Sequence, residues 1–369
     1  MIGVFACGDV GAKRSDYAGI FSGCRATLHE ADLGFAQLET TIAERGARAP
    51  NARLAMRSAP AMARAAREAG FHAMSFAGNH CMDFGYEAFD ETFRHAAAAG
   101  LALCGAGQNL AEARTPQILN VKGVRVAILA GSSILPEGYA AEADKPGCAP
   151  LRAFTHYDQI EIDQPGTPPR IRSFAHRGDL HALVNAIRGA RMAADVVLVS
   201  LHWGIHMVYA TLADYQREVA HACIEAGAHA ILGHHPHLLK GVEIYRGRPI
   251  FYSLGNFAIE QPHIWDPAIT GSASFRHLVS LNPQWQPDEV YMLPEITRMS
   301  GIAKLLISEH AVEAHFLPAW ITDDSVPHVI GSEDPHFDMT RKFLEASSRD
   351  AGLATHYDTR GDEILISAG

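Results

Sequence analysis

The sequence has no apolar run approaching the ~18 residues of a membrane-crossing helix, no CxxC pair, and no GxGxxG or GxxxxGK[ST] string. These absences argue in turn against a transmembrane helix, a thiolate zinc finger, and a dinucleotide or P-loop site. Positive charge is also scarce. Lys and Arg number 31 against 41 Asp and Glu, a formal net charge of −10, whereas general nucleic-acid binding needs a basic face. An acidic balance still admits an anionic substrate where bound cations reverse the local field. No positively charged leader opens the chain, and a cytoplasmic protein is expected. The cysteines Cys7, Cys24, Cys81, Cys104, Cys148 and Cys223 lie scattered in apolar or small-residue text; buried free thiols are expected rather than a disulfide framework.

What is present is a globular composition, 48% hydrophobic and 20% charged over 369 residues. Short apolar runs alternate with Ala-rich helical patterns. Strands are expected over 2–8, 33–38, 72–77, 101–104, 124–131, 195–201, 228–232 and 249–254, and helices over 17–30, 60–69, 86–99, 179–193 and 212–226. Gly70, Gly100 and Gly227 each follow a helix, as C-cap glycines do. The alternation predicts an α/β fold with a sheet covered on both faces. Residues 148–173 break into Pro-, Gly- and charge-rich text, expected to be an insertion or surface loop, and 261–294 are irregular. A hairpin over 301–321, a helix over 338–351 and a strand over 363–367 follow. We expect one compact domain, with 1–260 as the functional portion and 261–369 as an elaboration completing it.

The 21 histidines are clustered, and their placement carries the chemistry. FACGD puts Asp9 at the end of the first strand, FAQLE puts Glu39 at the end of the second, and SFAGNH puts Asn79 and His80 just past the third. VLVSLHWG puts His202 at the end of a fourth, and AILGHHPH puts His234, His235 and His237 past a fifth. Ligands of open α/β sheets bind beyond the carboxyl ends of the strands. Each residue alone reads as a cap, a turn residue or a packed histidine. Together they form a ring of carboxylate, amide and imidazole donors suited to Zn, Mn or Fe. In His235-Pro236-His237 the proline fixes the backbone, and in an extended chain the two rings would point the same way. Cys81, beside His80, reads as a small packing thiol rather than a nucleophile.

The order Asp…Glu…Asn-His…His…His-x-His resembles the calcineurin-like metallophosphoesterases. More closely it resembles their CapA branch, the poly-γ-glutamate capsule biosynthesis family. The likeness runs from about Gly8 to Phe257 through GDV, AQLET, AGNHCMDFG, CGAGQNLAEARTP, SLHWG, GHHPHLLKGVEIYRG and FYSLGNF. The resemblance implies a four-layer αββα sandwich holding two divalent metal ions. In it Glu39 would bridge, Asn79, His202 and His235 would complete one metal site, and Asp9 and His237 would serve the other. His80 would be the acid or charge stabiliser near the leaving group, with Asp83 orienting its ring. Position 11 is glycine where the superfamily has the histidine of Asp-x-His; a water or His206 is the candidate replacement. Candidate substrate contacts are Asn256, His234, Trp203 as a cleft wall, and Arg57, grouped with Arg45 and Arg48 on the segment after Glu39. The implied activity is metal-assisted hydrolysis of a phosphoester or amide (glutamyl-type) bond in a small or peptide-like anion. The alternative is a non-catalytic accessory protein that binds poly-γ-glutamate or a similar acidic polymer.

Overall fold

A computed structural model describes residues 1–369, with side chains described for 1–273 and 275–369. Two sheets face each other across the main core. In the first, the hydrogen-bonded order is Thr355–Arg360, Glu363–Ala368, Val312–Ile321, Met299–Ile307, Ile2–Gly11, Leu33–Leu38, Phe71–Ser75, Ala102–Cys104. The second runs Val242–Tyr245, Arg248–Phe251, Ala230–His234, Val196–His202, Val124–Ser132, Gln117–Val121.

Side-chain alternation along the second sheet explains the layering. Val126, Ile128, Val196, Leu198, Ala230 and Leu232 point into the core shared with the first sheet. Their neighbours Ala127, Leu129, Val197, Val199, Leu201 and Ile231 pack instead against helices Arg177–Ala193 and Asp214–Glu225. Strands buried on both faces read as continuous apolar runs, and these do. On the far side, helices Ala61–Ala69 and Gly85–Ala99 lie on the first sheet, the shorter one burying Met62, Ala63, Ala65, Ala66 and Ala69. The result is the expected four-layer αββα sandwich.

The central strands of each sheet run parallel. Ile2–Gly11, Leu33–Leu38, Phe71–Ser75 and Ala102–Cys104 are parallel in one, and Val124–Ser132, Val196–His202 and Ala230–His234 in the other. Their carboxyl ends therefore share an edge within each sheet. The C-terminal hairpin does more than decorate this frame: Met299–Ile307 pairs antiparallel along Ile2–Gly11, so the first strand is interior to its sheet.

Three segments depart from the sequence reading. The helix expected over 17–30 is a 3-10 turn, Gly19–Phe21, and a single helical turn, Arg25–Leu28. Gly23 sits between them because the chain packs onto the strand Pro327–Val329: a Cβ there would lie 2.7 Å from the Pro327 carbonyl oxygen, and Val329 N–H donates to the Gly23 carbonyl. The Pro- and charge-rich insert forms an antiparallel hairpin, Ala153–Asp158 with Arg170–Ala175, rather than an unpaired loop. The irregular stretch after residue 261 contains the helix Ala273–Leu281 and its flanking turns. All six cysteines are buried free thiols, as expected.

Candidate metal centre

Backbone packing brings the strand ends together before any side chain acts. Asp9 N–H donates to the Gly255 carbonyl, and Asp9 stands in register with Asn256 on the parallel strand Asn256–Ile259. Gly8 permits this approach: a Cβ on it would fall 2.0 Å from the Gly255 oxygen. In the other sheet His202 and His234 are register partners.

Asp9, Glu39 and His202 are completely buried, and one ligand-type atom from each lies within 4.8 Å of the others. Glu39 Oε1 is 3.6 Å from His202 Nε2 and 3.8 Å from His80 Nε2. Asn79 Oδ1 is 2.6 Å from His202 Nε2, and Asp9 Oδ2 is 3.2 Å from His237 Nδ1. The His235 ring centroid lies 5.0 Å from that of His202 and 6.1 Å from that of His237. Thus Asp9, Glu39, Asn79, His80, His202, His235 and His237 come from five separated stretches of chain to one place.

The hydrogen-bond inventory shows what the cluster lacks. Both carboxylate oxygens of Asp9, both of Glu39, and Nδ1 of His202 and His235 are buried without a hydrogen-bond partner among the described residues. Burying such groups unpaired costs several kcal/mol unless a charge or donor meets them. Divalent cations meet that need with the donor set present, oxygen and imidazole nitrogen without thiolate.

Proton affinities follow the same logic. Burial and the charge of Asp9 raise Glu39 to about 7. Burial and the neighbouring histidines hold His202 and His235 far below the ordinary imidazole range, in the neutral form that ligates metals. Burial opposes charge on His237 too, but the close approach of the Asp9 carboxylate and the field of Glu39 prevail and raise it to about 9. Two buried carboxylates therefore draw positive charge onto the nearest imidazole.

His80 is held differently. Its Nδ1–H donates to Asp83 Oδ2 at 2.7 Å, and that carboxylate also accepts from Met56 N–H and from the Tyr139 hydroxyl. Burial works against the His80 charge, yet the Asp83 contact outweighs it and raises the pKa above the ordinary value. Nε2 is left as the free face of the ring.

The hook His235-Pro236-His237 is not extended. His235 has φ of 95° and His237 of 57°, the left-handed region rarely used by bulky residues. The turn, rather than strand alternation, aims the two rings. A cavity of about 660 Å³ opens here, and Asn79, His80, His206, His235, His237 and Tyr139 are in its wall. His206 packs 5.6 Å from the His235 ring and 5.2 Å from the His237 ring.

The residues expected to contact substrate are not in the cavity wall. His234 is wholly buried, its Nδ1 3.6 Å from Asp9 Oδ1 and its ring against Phe35. Burial lowers its pKa to about 4, so this is no charged pair. Trp203 is not a cleft wall: it stacks on Tyr252 and donates Nε1–H to the Tyr252 carbonyl, in the core behind the second sheet. Asn256 is buried beneath the site, its Oδ1 accepting from His237 Nδ1–H at 2.8 Å. Arg57 lies over the Phe84 ring and donates to the carbonyls of Arg45 and Gly46, while Arg45 pairs with Glu87 and Glu91. None of these four sequence candidates is in the cavity wall. Sequence reasoning missed Tyr139, whose position just past the strand Val124–Ser132 was the available signal.

The family described as "Bacterial capsule synthesis protein PGA_cap" matches residues 3–261. The PGA biosynthesis protein CapA of Bacillus subtilis is 32% identical over 196 residues, 53% of this chain and 44% of its own length. A "Probable polyglutamine synthesis accessory protein" of Mycobacterium tuberculosis is 33% identical over 249 residues, 66% of this chain and 59% of that one. The chain thus spans about half the length of the curated relatives it matches. A solved hypothetical protein from Thermus thermophilus aligns over 86% of this chain and 98% of its own, with a TM-score of 0.48 and 16% identity. On the strength of the match across residues 3–261, the chain belongs to the bacterial capsule synthesis protein PGA_cap family.

Proposed function

We propose that the chain is a metal-dependent hydrolase that cleaves a phosphoester or a glutamyl-type amide bond. The observation that carries this reading is the set of buried, unpartnered oxygen and nitrogen atoms on Asp9, Glu39, His202 and His235. Asp9, Glu39, Asn79, His202, His235 and His237 are the residues that would hold two divalent cations, Mn, Fe or Zn. When bound, such ions supply Lewis-acid polarisation and water activation. His206, over the His235 and His237 rings, is the residue nearest to replacing the histidine absent at Gly11.

The remaining steps belong to the chain itself. Asp83 fixes the His80 ring by accepting its Nδ1–H, so that Nε2 carries the exchangeable proton. From the cavity wall, Nε2 gives that proton to the departing oxygen or nitrogen. Tyr139 and the Met56 backbone occupy both oxygens of Asp83 and keep it from rotating away. Hydrolysis of p-nitrophenyl phosphate and of γ-glutamyl-p-nitroanilide by the Mn-reconstituted protein tests the reading. We expect turnover of at least one, lost on chelation and reduced roughly 10²–10⁴-fold in His80→Asn.

A second reading is favoured by the relative named as a synthesis accessory protein. It is a non-catalytic protein that binds poly-γ-glutamate or a similar acidic polymer. Polymer binding that survives His80→Asn, without turnover of either substrate, would favour it.

A further inference from the structure

The cleft at the candidate metal centre does not end at the histidines. A second cavity of about 340 Å³ adjoins it, and Arg53, Leu54, Leu278 and Trp285 are walls of both. Beyond that shared wall the lining turns apolar, with Ile269 and Phe275 buried and Leu281 65% exposed at its rim. Both volumes fall in the range of small-molecule sites, about 300–1,000 Å³.

The annex is built, not incidental. Phe275 and Trp285 pack at 6.1 Å between ring centroids, and Trp285 Nε1–H donates to the Met207 sulfur at 3.2 Å. Met207 N–H in turn donates to the Pro236 carbonyl in the histidine hook. Ile269, Phe275 and Trp285 thus share one apolar cluster with Leu238 and Met207 at the root of the metal centre. At the junction stands the exposed Arg53, which makes no salt bridge among the described residues. Except for Arg53 and Leu54, the annex is furnished by residues 262–285, outside the portion matched by the family.

We infer that the substrate is a small anion bearing an apolar acyl or aryl group, seated with its reacting end at the histidines and its apolar group in this annex. The inference rests on the hydrolase reading and deepens it. Arg53 meets the anionic charge at the junction, and Leu54, Leu278, Phe275 and Trp285 shield the apolar group from water. A pure polyglutamate chain would leave these surfaces wet, so the annex selects for an apolar substituent.

The test is a binding series with non-hydrolysable probes. Linear alkylphosphonates from methyl to hexyl, and in a parallel arm N-acyl-glutamates from acetyl to hexanoyl, are titrated into the full chain by calorimetry. In the favoured series Kd falls roughly threefold to fourfold per methylene. Leu281→Asn and, separately, Ile269→Thr, which alter walls of the annex alone, flatten that dependence and leave methylphosphonate or acetyl-glutamate binding within about twofold. The preferred series separates a phosphonate-like from a glutamyl-like reacting end. Affinity independent of chain length in both series overturns the inference, as does no binding, or a length dependence untouched by both variants. A flat series in a chain that takes up metal and turns substrate over defeats the annex alone. A length dependence without metal uptake defeats the hydrolase reading alone.

Discussion

At the residue scale the candidate site divides into atoms that are satisfied and atoms that are not. Asp83 is satisfied three times over, by His80 Nδ1–H, Met56 N–H and the Tyr139 hydroxyl. It is a positioning residue, and its loss should be felt through His80. Asp83→Ala is expected to lower kcat by roughly 10–100-fold with little change in KM. It should also cost about 1–3 kcal/mol of stability, because the Met56 N–H and the Tyr139 hydroxyl lose their acceptor. Steady-state kinetics and denaturant unfolding check both; a variant with unchanged kcat removes His80 from the mechanism. Asp9 and Glu39 are the contrasting case, buried with no hydrogen-bond donor to either oxygen among the described residues. That contrast was legible in part. The sequence placed both carboxylates at strand ends, but whether a buried oxygen has a partner is a property of the assembled fold. The same holds for Asn256, Trp203, His234 and Arg57. Trp203 and Arg57 are turned away by tertiary contacts, while His234 and Asn256 lie buried against Asp9 and His237 beneath the site, and no local pattern encodes either outcome.

At the element scale, the parallel strands were readable because strands buried on both faces are continuously apolar and end in a polar residue. Leu33–Leu38 followed by Glu39 and Val196–His202 are such cases. The 17–30 segment was misread because its helical period is real, while Gly23 answers to a distant strand. The exposed hairpin Ala153–Asp158 with Arg170–Ala175 was hidden by charge and proline, since it buries little apolar surface. The histidine hook was identified by its residues but not its shape. Positive φ at His235 and His237 stores strain of order 1–3 kcal/mol each. Comparing His235→Gly with His235→Ala isolates this, since both lack the imidazole. The glycine variant is expected to be the more stable by about 1 kcal/mol in chelator, measured by urea unfolding. Equal stability, or a more stable alanine variant, contradicts the strained hook.

At the scale of the whole molecule, the two-sheet core makes a prediction about alkaline pH. Burial pushes Cys24 and Cys104 up to about 12 and raises Cys7, Cys81 and Cys223 as well. A thiol raised in the folded state adds stability that is complete below the unfolded value near 9 and is lost as pH climbs toward the folded one. Each contributes a fall of about 1.4 kcal/mol per pH unit above that point. Lys240 acts in the opposite sense: burial lowers it from 10.5 to about 8, so the unfolded chain holds an extra proton between those values. Five thiols outweigh one lysine. Unfolding free energy should therefore decline gently from about pH 7 to 9, where His237, raised to about 9, loses its proton, and fall far more steeply from about pH 9 to 10.5. A level profile throughout contradicts the buried thiols.

The carboxyl ends of two parallel strand sets meet, and the proposed cations would lie between their donors. Crystals of the full chain soaked in Mn²⁺ and measured at the Mn absorption edge test this most directly. The account predicts two anomalous peaks, both within bonding distance of Glu39, one shared with Asn79, His202 and His235 and the other with Asp9 and His237. A map without a peak at Glu39, from crystals whose Asp9, Glu39 and His202 are arranged as described, would contradict it.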